Sequence, residues 1–74
     1  MTLGEELKKA RVDADMTQEQ VAFAAGIDRA YLSLLENNRK SPTVATLFRI
    51  CEALGVPASK IIARVERPAK PKAG

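Results

Sequence analysis

The sequence predicts an all-α fold, a compact domain built from five short helices. Apolar residues recur at intervals of three and four, a spacing that gathers them on one face of a helix. Capping residues and helix-stopping glycines divide the chain into segments of helical length. The 74 residues suffice for one small domain. We expect that domain to span residues 1–65, followed by a disordered basic tail, residues 66–74, rich in Pro, Lys and Ala.

The first helix is expected to run from Thr2 to about Ala14. Thr2 and Glu5 form a capping-box pattern, in which each side chain can accept a hydrogen bond from the other residue's backbone N–H. Arg11 falls within the apolar stripe of this helix, where a charged side chain must be paired if it is buried. The apolar positions at helical spacing are Leu3, Leu7, Ala10 and Ala14.

The second and third helices, within residues 17–37, are expected to form one unit. Thr17 and Gln20 repeat the capping-box pattern, and Gly26 can end the second helix in a tight turn. Asp28 is expected to cap the third helix. The positions expected to face inward are Val21, Ala22, Ala25, Ile27, Tyr31, Leu32 and Leu35. Two capped helices around a tight turn make a helix-turn-helix, whose second helix can enter the DNA major groove.

The fourth and fifth helices complete the predicted domain. Asn38 is suited to the left-handed conformation that would end the third helix, and Thr43 is expected to cap the fourth. Gly55 would stop the fourth helix, and Pro57 stands near the start of the fifth, where proline is tolerated. The inward positions of the fourth helix are Leu47, Ile50, Cys51 and Leu54, and the apolar positions of the fifth are Ile61, Ile62 and Val65.

Charge is divided unevenly along the chain. Residues 1–28 carry three basic and six acidic side chains, whereas residues 29–74 carry nine basic and three acidic ones, giving the net charge of +3. The basic excess therefore begins at the third helix, which suits a polyanion partner such as DNA. Charge alone would be equally consistent with an ordinary solvated surface that ends in a basic tail.

Several classes of function are unlikely to be served by this composition. With no histidine and a single cysteine, Cys51, the chain offers neither an internal disulfide nor a zinc site of Cys and His ligands. We expect no metal, no cofactor, no small-molecule ligand and no enzymatic activity, because the sequence has no Gly-rich phosphate loop and no nucleophile beside a base. The lone cysteine, the absence of a signal-like N-terminus and the lack of a long apolar run predict a soluble, cytoplasmic protein without a membrane span.

One extended pattern resembles a known family. It comprises Leu7, Arg11, residues 16–22 (MTQEQVA), 25–27 (AGI), 31–33 (YLS), 35–36 (LE), 41–43 (SPT), Leu47 and 53–56 (ALGV), with unbroken spacing. With this pattern, residues 3–62 resemble the phage-repressor, or Xre/Cro-type, helix-turn-helix domains, whose fold is lambda-repressor-like. Within that family, the run of residues 28–33 (DRAYLS) is most similar to small stand-alone repressors and restriction–modification controller proteins.

The resemblance implies roles for individual residues. The positions that match base-reading residues are Arg29, Ala30, Ser33 and Leu34. Those that match phosphate-contacting residues are Thr17, Gln18, Asn37, Arg39, Lys40 and Ser41. Arg11 and Glu36 match a buried ion pair that ties the first helix to the third. Arg29 is the strongest candidate for base recognition, because arginine can donate two parallel hydrogen bonds to guanine, worth about 1–3 kcal/mol of discrimination.

The predicted function is sequence-specific binding of double-stranded DNA by a transcriptional regulator, a repressor or autoregulator that reads a near-palindromic operator as a homodimer. The predicted dimer surface is Val56, Ile61, Ile62 and Val65, because these apolar residues exceed what so short a helix can bury alone. The alternative is an antitoxin or protein-interaction adaptor with the same fold. A joint exposed patch of Phe23, Leu34 and Phe48 would favour that alternative.

Overall fold

The computed structural model describes residues 1–66, which form five α-helices. They are α1 (Leu3–Asp13), α2 (Gln18–Ala25), α3 (Arg29–Glu36), α4 (Val44–Leu54) and α5 (Ala58–Glu66). The predicted all-α architecture is confirmed. Glu66, which the sequence assigns to the tail, is the last residue of α5, because α5 contains no glycine or proline that would end it earlier. The rest of the predicted tail, residues 67–74, lies outside the described residues.

Three of the helices begin at a side-chain cap. In α1, the hydroxyl of Thr2 accepts from the backbone N–H of Glu5 at 3.2 Å, and the Glu5 carboxylate accepts from Thr2 N at 2.9 Å. The same reciprocal bonds join Thr17 and Gln20 at the start of α2. These caps satisfy backbone donors that the first helical turn leaves without an intrahelical partner. Thr43 caps α4 by accepting from Thr46 N.

The cap predicted at Asp28 is different. Asp28 occupies the N-cap position of α3 with an extended backbone, but its side chain makes no capping hydrogen bond. The prediction that its carboxylate caps α3 is therefore wrong. Because Asp28 is exposed, water can hydrate both the carboxylate and the first N–H groups of α3.

Residues with positive φ end α1 to α4 or lie just beyond their ends. Gly26 and Gly55 both have φ of 74°, as expected for helix-stopping glycines. Asn38 adopts the left-handed conformation predicted for it, with φ of 61°. Asp15, after α1, also has a positive φ of 59°, although no sequence pattern predicts it there. Asp is one of the few residues besides glycine that enters this region readily.

The core is formed by the inner faces of all five helices. α2 packs against α3 and α4, while α1 packs against α3 and α5. The buried apolar residues of the core are Leu7, Ala10, Val21, Ala22, Ala25, Leu32, Leu35, Leu47, Ile50, Cys51, Leu54 and Ile61. Burial raises the pKa of the Cys51 thiol, as befits a core position rather than a reactive one. None of the helices in residues 1–66 combines the length and apolar character needed to cross a membrane.

Ile61 requires a correction. The sequence assigns it to a dimer surface, but its side chain is only 1% exposed and belongs to the core of the single chain. It is the one buried residue of α5 and anchors that helix to the domain. Helical periodicity predicts which residues share a face, but it does not show whether that face meets the same chain or a second copy.

α1 and α3 approach each other closely at Gly4. An ideal Cβ placed on Gly4 would lie 2.5 Å from the carbonyl oxygens of both Leu35 and Glu36. The same Cβ would lie 2.7 Å from Oδ1 of Asn38. Since both carbonyls belong to the backbone at the end of α3, only glycine fits at position 4 without a shift of one helix.

Candidate nucleic-acid interface

The outer face of α3 carries the residues predicted to read DNA bases. Arg29, Ala30 and Leu34 are exposed, and Ser33 is half-buried. They follow the i, i+1, i+4, i+5 spacing that forms one stripe along a helix. The opposite side of α3 is held against the core by Leu32, Leu35 and half-buried Tyr31. The structure therefore brings all four predicted residues together on a surface that is open to a partner.

The turn before α3 fixes its direction relative to α2. Gly26 reverses the chain in the left-handed conformation, and the Ile27 N–H donates to the Ala22 carbonyl at 2.9 Å. Ile27 is half-buried and packs against the core, which anchors the turn to the rest of the domain. As a result, the N-terminus of α2 and the outer face of α3 lie on one side of the domain, where Gln18 and Arg29 meet.

A buried ion pair supports this surface from behind. Arg11 Nε donates to Glu36 Oε2 at 2.7 Å, and Arg11 Nη2 donates to Glu36 Oε1 at 3.1 Å. Arg11 Nη1 also donates to the Met16 carbonyl at 3.0 Å, which ties the end of α1 to the start of α2. The bond to Glu36 raises the pKa of Arg11 above its ordinary value, and partial burial only partly opposes this. Arg11 therefore stays charged at any physiological pH.

Gln18 extends the ion pair to the surface. Its Nε2 donates to Glu36 Oε1 at 3.1 Å, and its Oε1 accepts from Arg29 Nη1 at 3.4 Å. Because an ionised carboxylate only accepts, Glu36 forces the amide nitrogen of Gln18 inward and its oxygen outward. That orientation presents an acceptor to Arg29. The sequence gives no sign of this link, since Gln18 and Arg29 lie on different helices and neither is predicted to touch the other.

The residues predicted to contact phosphate occur in two groups. Thr17 and Gln18 lie at the N-terminus of α2, where the backbone N–H groups and the helix dipole favour an anion. Asn37, Arg39, Lys40 and Ser41 are exposed after the end of α3. Within residues 1–66, the side chains of Arg39 and Lys40 take part in no hydrogen bond or salt bridge with the protein, so their charges face solvent.

The three apolar residues whose joint patch would favour a protein partner are each exposed, one on each of α2, α3 and α4. Phe23 on α2 is 90% exposed, and Phe48 on α4 is more than half exposed. Leu34 on α3 is 38% exposed. Single exposed apolar residues are ordinary features of protein surfaces. Phe23 stands out because almost none of its surface is covered.

Comparisons with known proteins find similarity to helix-turn-helix proteins. A family model described as helix-turn-helix, HTH_3, matches residues 7–61. The chain is 37% identical over 62 residues to the immunity repressor protein of Bacillus phage phi105, a match that covers 84% of this chain and 43% of the repressor. It is 32% identical over 65 residues to the control protein C.MunI of Mycoplasma, covering 86% of this chain and 88% of that protein.

Solved structures give the same result for the fold. The clp gene regulator ClgR of C. glutamicum superimposes with a TM-score of 0.82 at 30% identity, covering 92% of this chain and 91% of ClgR. The restriction–modification controller protein C.AhdI of Aeromonas hydrophila superimposes with a TM-score of 0.78 at 24% identity, covering 80% of this chain and 89% of that one. The chain spans less than half of the phage repressor, whereas it spans most of both controller proteins.

Proposed function

The chain belongs to the helix-turn-helix family, and from this membership and the outer face of α3 we propose that it binds double-stranded DNA sequence-specifically and regulates transcription. The observation that carries the proposal is the link from the buried ion pair through Gln18 to Arg29, which holds a guanidinium at the exposed start of α3. Similarity to a phage immunity repressor supports repression as the mode of regulation.

In this proposal, Arg29 reads guanine in the major groove. Among residues 1–66, one weak hydrogen bond at 3.4 Å occupies its guanidinium, so parallel donors remain for the O6 and N7 atoms of guanine. Ala30 and Leu34 are apolar and exposed, which suits contact with the methyl group of thymine. Ser33 can adapt to either kind of neighbour, because its hydroxyl both donates and accepts.

Phosphate contacts would hold the domain on the duplex at both ends of this surface. The start of α2 offers backbone donors near Thr17 and Gln18, while Arg39 and Lys40 offer full charges beyond α3. Such contacts set affinity and register but carry no sequence information. They also make affinity fall as salt rises, because binding releases counterions from the DNA.

Exchanging Arg29 or Lys40 for alanine should separate base reading from phosphate binding. Arg29→Ala is expected to lose about 1–3 kcal/mol of discrimination at one base pair, because the guanine donors are gone. Lys40→Ala is expected to weaken all sequences similarly and to lower the salt slope by about one. Titrating both variants against the preferred duplex and single-base substitutions over a salt series measures both effects. If Arg29→Ala keeps the full base preference, the assignment of Arg29 is wrong.

We further propose that two copies bind a near-palindromic operator. One recognition helix reads too few base pairs for useful specificity in a genome, and half-sites one helical turn apart, about 34–36 Å, suit a two-fold dimer. Since Ile61 is buried, the surface that α5 and the segment before it leave for a second copy consists of exposed Ile62 with half-buried Val56 and Val65.

Ile62→Lys is therefore expected to weaken self-association at least about tenfold, because each subunit would place a lysine charge in the apolar interface. Val12→Lys is the matched control, since Val12 is an exposed β-branched residue on α1. Sedimentation equilibrium of the wild type and both variants measures the dimer dissociation constant. A wild type that stays monomeric at high micromolar concentration would rule out this dimer.

A second candidate function is favoured by the exposure of Phe23. Aromatic side chains are enriched in protein–protein interfaces, and the almost fully exposed Phe23 on α2 could supply one, as in an antitoxin or adaptor. The two functions differ in their dependence on salt, because only DNA binding involves release of condensed counterions.

A further inference from the structure

Asn38 joins the end of α3 to the beginning of α1. Its Nδ2 donates to Thr2 Oγ1 at 2.8 Å, and its Oδ1 accepts from the Gly4 N–H at 3.0 Å. Both functional groups of the carboxamide are thus bound to the first turn of a helix that is more than thirty residues away in sequence. The absence of a side chain at Gly4 is what allows this approach, since a Cβ there would lie 2.7 Å from Asn38 Oδ1.

The loop that follows has few other attachments. The N–H groups of Asn38 and Arg39 donate to the carbonyls of Leu35 and Leu34, which closes the end of α3. Residues 40–42 contribute no backbone or side-chain hydrogen bond to the rest of residues 1–66, and regular bonding resumes only with Thr43 at the start of α4. The side-chain hydrogen bonds of Asn38 therefore attach the start of this loop to a distant part of the fold.

We propose that Asn38 is a positioning residue for the phosphate contacts of Arg39 and Lys40. This inference rests on the proposed DNA-binding function, in which those two side chains meet the DNA backbone. By holding the loop on α1 before DNA arrives, the Asn38 carboxamide removes part of the cost of ordering it during binding. It acts through the loop and has no part in reading bases.

The backbone conformation of Asn38 does not by itself explain the asparagine. With φ of 61°, the position would accept glycine without steric strain. Asparagine differs from glycine here in having a carboxamide, and both groups of that carboxamide are in use. Asn38→Gly therefore keeps the turn and removes only the attachment to α1.

The test compares Asn38→Gly with the wild type in DNA titrations over a salt series, at a temperature where circular dichroism shows both to be folded. The probes are the duplex selected by the wild type and a shuffled duplex of the same composition. We expect Asn38→Gly to bind both duplexes about two- to tenfold more weakly, with their affinity ratio unchanged. The salt slope should fall by up to about one, as for loss of one phosphate contact.

A second position in the chain supplies a matched control. Asp15 is the other non-glycine residue with positive φ in residues 1–66, and it follows the end of α1 opposite to the end that Asn38 contacts. The variants Asp15→Gly and Asp15→Asn are compared with each other. They differ by the same asparagine-to-glycine exchange, at a left-handed position, and both are neutral there. DNA affinity and salt slope should be the same for these two variants. Backbone order parameters of Arg39 and Lys40 should fall in Asn38→Gly alone.

The outcomes separate this inference from the proposed function. If the wild type binds DNA selectively and Asn38→Gly binds with the same affinity and salt slope, the positioning role is wrong while the DNA-binding function stands. A changed affinity ratio in Asn38→Gly would also overturn the inference, because it would mean that Asn38 acts on the reading face of α3. A wild type that binds neither duplex overturns both.

Discussion

Arg11→Met is expected to lower the free energy of unfolding by about 3–5 kcal/mol, the cost of leaving a buried charge without its partner. The charge left behind is that of Glu36, whose side chain is 2% exposed and accepts two hydrogen bonds from Arg11. Of the side chains in residues 1–66, only the amide of Gln18 would still donate to it. Methionine keeps most of the length and apolar character of the arginine side chain, so the loss reports on charge and hydrogen bonding. Urea unfolding followed by circular dichroism measures it.

Lys9→Met is the control for this prediction. It also removes a cation from α1, but Lys9 pairs with Asp13 on the surface, where both side chains are more than half exposed. Loss of such a pair is expected to cost less than about 1 kcal/mol. The double variant Arg11→Met/Glu36→Leu should be more stable than Arg11→Met alone, because it removes the unpaired charge as well. Equal stabilities of Arg11→Met and Lys9→Met would contradict the buried character of the ion pair.

Gly4→Ala is expected to destabilise the domain by about 3 kcal/mol, at the upper end of the usual overpacking range. Helix propensity alone predicts the opposite sign, since alanine in a helix is favoured over glycine by about 1 kcal/mol. The steric effect should win because the new methyl group meets two backbone carbonyl oxygens at 2.5 Å, and backbone cannot turn aside as a side chain can. The melting temperature should fall by about 4–8 °C for each kcal/mol.

Gly55→Ala provides the comparison for Gly4→Ala. An alanine Cβ at Gly55 would meet no atom within 4 Å, but the backbone there has φ of 74°. Its cost, about 1–2 kcal/mol, comes from the left-handed conformation alone. A Gly4→Ala variant that is as stable as the wild type would show that α1 and α3 can move apart at little cost, and the close approach would then be unimportant.

Much of the fold could be predicted because its determinants are local. The capping boxes at Thr2 and Thr17 and the stop at Gly55 each depend on residues within one helical turn. Spacing along the chain also predicts that Leu47, Ile50 and their neighbours share one buried face of α4. The family resemblance implies the pairing of Arg11 with Glu36, and the bonds between these residues show that α1 and α3 meet at this pair.

The features that could not be predicted depend on how distant elements meet. Glu6 would be assigned to the surface by its charge, yet it is buried where α1 faces α5, with Arg64 Nη1 3.7 Å from its carboxylate. Asn38 is recognisable as a helix-ending residue, but its bonds to Thr2 and Gly4 require the packing of α1 on α3. The orientation of Gln18 likewise depends on Glu36 from another helix. Periodicity predicts which residues share a face of one helix, but it does not predict which residues of another helix that face will contact.

The most direct test of the central claim is selection of bound duplexes from a random DNA library at near-physiological salt. Sequence-specific binding by a dimer predicts an enriched inverted repeat whose half-site centres lie about 10 base pairs, or a multiple of this, apart. At least one position in each half-site should require guanine, and Arg29→Ala should relax that position. Weak enrichment without sequence preference, disappearing as salt is raised, would contradict the claim, since only electrostatic attraction to the phosphate backbone would then remain.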